Sequence, residues 1–225
     1  MQKKAKAVPD IRRRQLLLGG FLVSVAAVAG RRSWAADDAP MPADEHMHHH
    51  HHHMAMPDPA DGTKRSENAY QVPTLSLLRQ DGSKAAFPQE IDDGRPVILN
   101  FIYTSCTAIC PVTTQVFSQV QAKLGEDAAK VHMVSISIDP EYDTPARLAE
   151  YAKKYNAGGG WHFYTGTVEA SLAMQRAFDA YRGDKMNHIP VTYLRGAPGK
   201  SWVRLDGFAK PDEVVQEYHH AVHGS

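Results

Sequence analysis

Cysteine is scarce in this chain, since only Cys106 and Cys110 occur among 225 residues. Two cysteines cannot complete the four-ligand thiolate sites that structural zinc favours. Net charge is lacking as well, because 25 basic and 25 acidic side chains cancel. A chain without excess positive charge gives no electrostatic case for nucleic acid, so we expect no nucleic-acid partner.

The N-terminal region lacks an apolar run of the length that a membrane-spanning helix needs, which is about 20 residues. The run at residues 16–30 is shorter; basic residues precede it, and the small residues Ala35 and Ala36 follow it. This pattern predicts an export signal over residues 1–36, and RRRQLLL resembles its twin-arginine form. We therefore expect a periplasmic protein, or one that an uncleaved signal anchors to the inner membrane.

Residues 37–69 lack hydrophobic periodicity and consist largely of Ala, Pro, Asp, Met and His. We interpret them as a disordered tether, because such a composition buries too little apolar surface to offset the cost of ordering. Imidazole and thioether groups both bind copper, which suggests an auxiliary metal tract, although an inserted affinity tag is the alternative. The tract comprises His46, Met47, His48, His49, His50, His51, His52, His53, Met54 and Met56.

A globular pattern begins at Tyr70, and we predict one domain over residues 70–225. Strand and helix patterns alternate, which indicates an α/β fold with a mixed β-sheet and helices on both faces. A strand that delivers a cysteine pair to a helix N-terminus favours the thioredoxin-like arrangement. The predicted elements are hairpins at 72–87 and 189–207, strands at 95–105 and 130–139, a short strand or turn at 161–166, and helices at 111–125, 144–160, 168–181 and 211–224.

The cysteine pair allows three uses. Cys110 directly precedes Pro111 at the predicted helix start, where unpaired N–H groups lower a thiol's pKa and favour thiolate. A disulfide closing this short loop would add only about 2 kcal/mol, which a domain with its own core does not need. Dithiol–disulfide exchange and the binding of a soft ion such as Cu(I) both suit the pair.

A metal held by two thiolates calls for a third ligand from elsewhere in the chain. His188 is the candidate, because it precedes Pro190, which we expect to be the cis-proline that faces the cysteines in thioredoxin-like folds. We interpret the other histidines of the domain as packing or solvated residues; they are His132, His162, His219, His220 and His223.

Three segments in this order resemble the Sco/SenC family: YTSCTAICP at 103–111, SIDPEYDTP at 137–145, and a histidine shortly before TYL. The resemblance implies a thioredoxin-like fold and one copper ion, Cu(I) or Cu(II), bound by Cys106, Cys110 and His188. It also implies maturation of the binuclear copper centre of cytochrome c oxidase subunit II, the expected partner. Asp139 is a possible acid behind the ligands, and we expect a monomer.

The chain departs from the familiar pattern of that family in the loop that carries the histidine. Asn187 stands where those members have aspartate, and the loop is short, which bears on how the imidazole is oriented. One alternative is a thiol–disulfide oxidoreductase that acts on partner cysteines without copper. Another is a copper-storing protein in which the histidine tract is the main copper-binding region and the folded domain is secondary.

Overall fold

The structure, a computed structural model, describes residues 62–224, so the predicted signal and most of the predicted tether lie outside the described residues. None of the helices in this part of the chain combines the length and apolar character needed to cross a bilayer. The strands are β1 Lys64–Asn68, β2 Leu75–Arg79, β3 Lys84–Phe87, β4 Val97–Ile102, β5 His132–Ser137, β6 Trp161–Thr165, β7 Val191–Arg195 and β8 Trp202–Asp206. The helices are α1 Ile109–Leu124, α2 Pro145–Lys154, α3 Val168–Ala177 and α4 Pro211–His223.

These strands form one mixed sheet in the order β1-β8-β7-β4-β5-β6-β2-β3. The central strands β4, β5 and β6 are parallel, whereas the flanking pairs are antiparallel. Every residue of β4 and β5 is buried, as expected for parallel strands covered on both faces. The predicted α/β class with a mixed sheet is confirmed.

The helices cover both faces of the sheet and enclose two apolar cores. One core contains residues of α1, α2 and α4, among them Phe117, Leu148 and Val214. The other contains Met174 of α3, together with Phe178 and Tyr193. Both cores pack against β4 and β5. The loops that follow these two strands therefore begin at closely packed strand ends.

Local signals in the sequence place the beginnings of α2, α3 and α4, whereas α2 and α3 end at Lys154 and Ala177, before the predicted ends at 160 and 181. Thr144 caps α2 by accepting a hydrogen bond from the Arg147 N–H, and Pro145 occupies the first helical position, as predicted. Helix α1 begins at Ile109, two residues before the predicted start at Pro111. The difference matters, because it puts Cys110 inside the first helical turn.

The folded part begins earlier than predicted. Strand β1 lies within the range 37–69 that we assigned to the tether, so the end of that range is wrong. The segment KRSEN is polar and shows no apolar alternation, yet it pairs along its length with β8. Main-chain hydrogen bonds hold an edge strand, and charged side chains are suited to such an edge.

Candidate metal and thiol site

The cysteine pair lies where the loop after β4 enters α1, at the edge of the sheet where the parallel strands β4 and β5 both end. Cys106 is in the loop with 8% of its surface exposed, and Cys110 is in the first turn of α1 with 0% exposed. Both are free thiols. The Cys110 N–H donates to the Cys106 sulfur at 3.4 Å, so the unpaired amides of the helix N-terminus act on Cys106.

The two thiols are electrostatically unequal. Hydrogen bonding from the Cys110 thiol lowers the pKa of Cys106, and the backbone amides of Cys110 and Ala108 lower it further, although burial opposes this. The pKa of Cys110 is raised by the same sulfur–sulfur interaction and by burial. The pair therefore holds one proton on Cys110 and one negative charge on Cys106. We predicted the lowered pKa for the thiol next to Pro111, which is wrong, because the amides point at the preceding loop.

Tyr103, the last buried residue before the loop, lies between the thiols and the turn that carries Met186 and His188. Its phenol interacts with Cys106 and helps to lower the pKa of that thiol. Its hydroxyl donates to the Met186 sulfur at 3.7 Å, and its ring lies 6.4 Å from the His188 ring. Burial raises the pKa of Tyr103, so the phenol stays protonated. We did not predict a role for this residue, although it opens the YTSCTAICP segment.

His188 lies at the same edge of the sheet, 9% exposed, on the short turn that leads into β7. Burial lowers its pKa to about 4, while the charge on Cys106 acts in the opposite direction. The imidazole is thus neutral at neutral pH, which is the form that binds metals. The predicted cis bond before Pro190 is wrong: Phe87–Pro88 is the one cis peptide bond within residues 62–224. His188 reaches the thiol neighbourhood without it.

Asp139 acts on the loop of His188 through an ion pair. Its carboxylate contacts the Lys185 ammonium at 2.6 Å, three residues before His188. The Asp184 side chain accepts a hydrogen bond from the Met186 N–H at 2.8 Å, which shapes the same turn. Asp139 therefore positions the turn that presents His188.

Asp143 is fully buried and ties the cysteine loop to the neighbouring strand, a role that the sequence analysis did not assign. Its carboxylate accepts hydrogen bonds from the backbone N–H and hydroxyl of Thr104, two residues before Cys106, and from the Ser137 hydroxyl at the end of β5. Burial raises its pKa despite these bonds. The sequence feature that could have indicated this role is its position directly before Thr144, which caps α2.

The three predicted ligands are neighbours but do not converge. The two thiols are in contact, whereas His188 lies beside Tyr103. Across the described residues, no three side chains of His, Cys, Asp or Glu stand ready to hold a metal ion. In the positions that the structure records, these three side chains do not form a metal site, so coordination by all of them would require them to move.

The remaining histidines lie away from this edge. His132 is buried at the start of β5, where its Nε2 lies 3.2 Å from the Tyr164 hydroxyl, and His162 lies on the neighbouring strand. Three histidines are exposed on the last turns of α4: His219, His220 and His223. The predicted auxiliary tract at residues 46–56 lies outside the described residues.

Comparison with known proteins identifies similar chains. The SCO1/SenC family model matches residues 63–223. A SCO1 protein homolog of Bacillus subtilis is 29% identical over 159 residues, which cover 66% of this chain and 81% of the relative. The family model therefore spans almost all of the described residues.

Solved structures share the fold. The structure of BsSco, described as a member of the Sco family of cytochrome c oxidase assembly proteins with a disulfide switch, has a TM-score of 0.60 and 26% identity; the match covers 71% of this chain and 98% of that one. Arabidopsis thaliana ScoI with copper bound has a TM-score of 0.57 and 25% identity, covering 68% and 98%. The predicted thioredoxin-like fold is confirmed.

The inequality of the thiols predicts their order of reaction. In the reduced full chain, iodoacetamide should modify Cys106 before Cys110, because Cys106 is the thiolate and the more exposed sulfur. The rate at Cys106 should reach half its maximum well below pH about 8.5, the usual pKa of a thiol. Peptide mass spectrometry measures both. In Cys110→Ala that midpoint should rise, and equal modification of both thiols would contradict the assignment.

The contacts of Asp143 predict a stability effect. Asp143→Ala leaves the half-buried Thr104 N–H without its acceptor, so the free energy of unfolding in urea should fall by about 1–3 kcal/mol. The matched control is Asp139→Ala, whose ion pair with the half-exposed Lys185 should be worth at most about 1 kcal/mol. An equal loss of unfolding free energy in the two variants would contradict the larger contribution expected from the hydrogen bonds of Asp143.

Proposed function

Since the chain belongs to the SCO1/SenC family, we propose that it binds one copper ion through Cys106, Cys110 and His188. We further propose that it delivers this ion to the binuclear copper site of cytochrome c oxidase subunit II. The observation that carries the proposal is the contact between two free thiols at the N-terminus of α1, with a neutral, buried imidazole on the adjoining turn. Two soft sulfurs and one nitrogen suit copper.

The arrangement favours Cu(I) as the first form to be captured. The thiolate of Cys106 offers an immediate ligand at the exposed side, and Cys110 follows when its proton leaves. Two thiolates satisfy Cu(I) in a linear geometry, so His188 need not move at this stage. Cu(II) prefers more ligands, including nitrogen, and would require the turn of His188 to close. An ion held by few ligands remains accessible to an acceptor.

The proposal also assigns roles to two segments outside the described domain. The basic and apolar pattern of residues 1–36 supports export to the periplasm, with either release or attachment to the inner membrane by that segment. The histidine and methionine tract at 46–56 would gather copper weakly and raise its local concentration near the cysteine pair. We propose that the domain acts as a monomer.

A second function is favoured by the unequal thiols. A thiolate next to a protonated thiol can reduce a disulfide in the acceptor, so the protein would prepare the copper site rather than fill it. Cys106 attacks one acceptor sulfur and forms a mixed disulfide while the other acceptor sulfur leaves. Cys110 then loses its proton and attacks Cys106, which releases the second acceptor sulfur. Two electrons pass to the acceptor, and the chain retains a Cys106–Cys110 disulfide.

Substitution of the ligands should separate the two copper states. Cys106→Ser or Cys110→Ser in the full chain should abolish tight Cu(I) binding in competition with a Cu(I) chelator, because one thiolate and one imidazole hold the ion poorly. His188→Ala should spare much of the Cu(I) affinity but lose the visible thiolate-to-Cu(II) absorption. His220→Ala is the matched control and should retain both properties. Wild-type Cu(I) affinity in either serine variant would refute the shared site.

The acceptor experiment decides between delivery and reduction. The copper-loaded full chain is mixed with the soluble domain of subunit II, either with its two site cysteines reduced or with them in a disulfide. Delivery predicts copper transfer to the reduced acceptor without loss of thiols. Reduction predicts that the copper-free chain loses two thiols to the oxidised acceptor, as thiol titration would measure. Failure of both exchanges would overturn both functions.

A further inference from the structure

The last turn of α4 carries a pair of histidines that the proposed function does not use. His219 and His223 are four residues apart, which places them on one face of the helix. Their rings lie 5.9 Å apart between centroids and are nearly parallel, with an interplanar angle of 15°. Both side chains are exposed, so their rings can rotate to aim a nitrogen at a shared point. The same spacing lets two helical histidines bind zinc in metalloproteases.

The candidate third ligand is a carboxylate just after the end of α1, a helix that packs in the same core as α4. Asp127, on the short turn after α1, has a lowered pKa, chiefly because of Lys130 and further because of the charges on His219 and His223. Its ion pair with Lys130 measures 2.8 Å and is exposed, so a metal ion can displace the ammonium at little cost. The negative end of the α4 dipole also favours a cation at this place.

We propose that His219, His223 and Asp127 form a second, surface site for a divalent ion that prefers imidazole, with Cu(II) bound most tightly. Two nitrogens and one carboxylate oxygen suit Cu(II), Ni²⁺ and Zn²⁺, and Cu(II) leads the affinity order of the first-row divalent ions. Cu(I) is not favoured there, because the three ligands include no sulfur. In the structure the two rings stack rather than converge, so binding needs the exposed imidazoles to rotate.

This site is independent of the cysteine pair. Cys110 lies at the beginning of α1 and Asp127 just beyond its end, and 16 helical residues span about 24 Å. The end of α4 packs on Gly196, which follows β7 at the edge of the sheet where β4 begins, opposite the cysteines. No ion can be shared between the two sites, so this inference stands whether or not the proposed function is correct.

The test uses the full chain after removal of its other copper ligands. The background variant carries Cys106→Ser, Cys110→Ser and His188→Ala, with asparagine replacing His46 and the histidines at 48–53. It is titrated with cupric chloride and followed by equilibrium dialysis and electron paramagnetic resonance. We expect one Cu(II) per chain with hyperfine structure from nitrogen. If this chain binds no Cu(II), the site does not exist.

Single substitutions in that background identify the ligands. His219→Asn and His223→Asn should each weaken Cu(II) binding at least about tenfold, because a ligand is lost. The matched control is His220→Asn, since His220 belongs to the same turn but projects about 100° from His219 and about 60° from His223 around the helix axis. Asp127→Asn should weaken binding severalfold, and unchanged affinity would overturn the three-ligand site. Equal effects of His220→Asn and His223→Asn would overturn the proposal altogether.

Circular dichroism provides a check on folding. The single variants should keep the helical spectrum and the melting temperature of the metal-free background chain, because all four side chains are exposed or half-buried. Cu(II) should raise the melting temperature of the background chain and of His220→Asn, since an ion that binds the native state stabilises it. Its effect on His223→Asn should be much smaller. An equal rise in His220→Asn and His223→Asn would again refute the site.

Discussion

The hydrogen bonds of the buried Asp143 carboxylate determine where the reactive loop lies. The loop after β4 has no regular structure, so its position depends on what holds Thr104, two residues before Cys106. Asp143 binds both the N–H and the hydroxyl of Thr104 and, through Ser137, the end of β5. Burying a carboxylate without a basic partner is unfavourable, and these donors offset that cost. The loop, the strand and the start of α2 are thereby joined at one point.

The thiol chemistry follows from that position. With the loop held above the first turn of α1, the Cys110 N–H and the Ala108 N–H stabilise charge on Cys106, while Cys110 remains buried and protonated. Such a pair can accept a soft ion at the exposed sulfur, or attack a disulfide with it, and then use the second sulfur to complete either reaction. The same geometry therefore supports both proposed functions, and the acceptor determines which one follows.

The imidazole is held more loosely than the thiols. His188 lies on a short turn that an ion pair between Lys185 and Asp139 connects to the end of β5. A hydrogen bond from the Tyr103 hydroxyl reaches Met186 on the same turn. Breaking a partly exposed ion pair costs little, whereas moving the cysteine loop would break the buried bonds of Asp143. In the proposed copper site, a fixed sulfur pair with an adjustable nitrogen ligand would fit an ion whose preferred coordination changes with its oxidation state.

The sequence by itself determined the strands and hairpins from β2 onward, the beginnings of α2, α3 and α4, the capping of α2 and the place of the cysteine pair, because periodicity, caps and turns act between near neighbours. Only the tertiary structure decided the remainder. The polar strand β1 is defined by β8, far along the chain, and not by its own pattern. Asp143 meets Thr104 across 39 residues and Asp139 meets Lys185 across 46. Cys106, and not Cys110, has the lowered pKa in part because the backbone N–H groups of Ala108 and Cys110 donate to its sulfur. Contacts between distant polar groups leave no periodic trace in a sequence, because they form only after the packed sheet has brought their strands together.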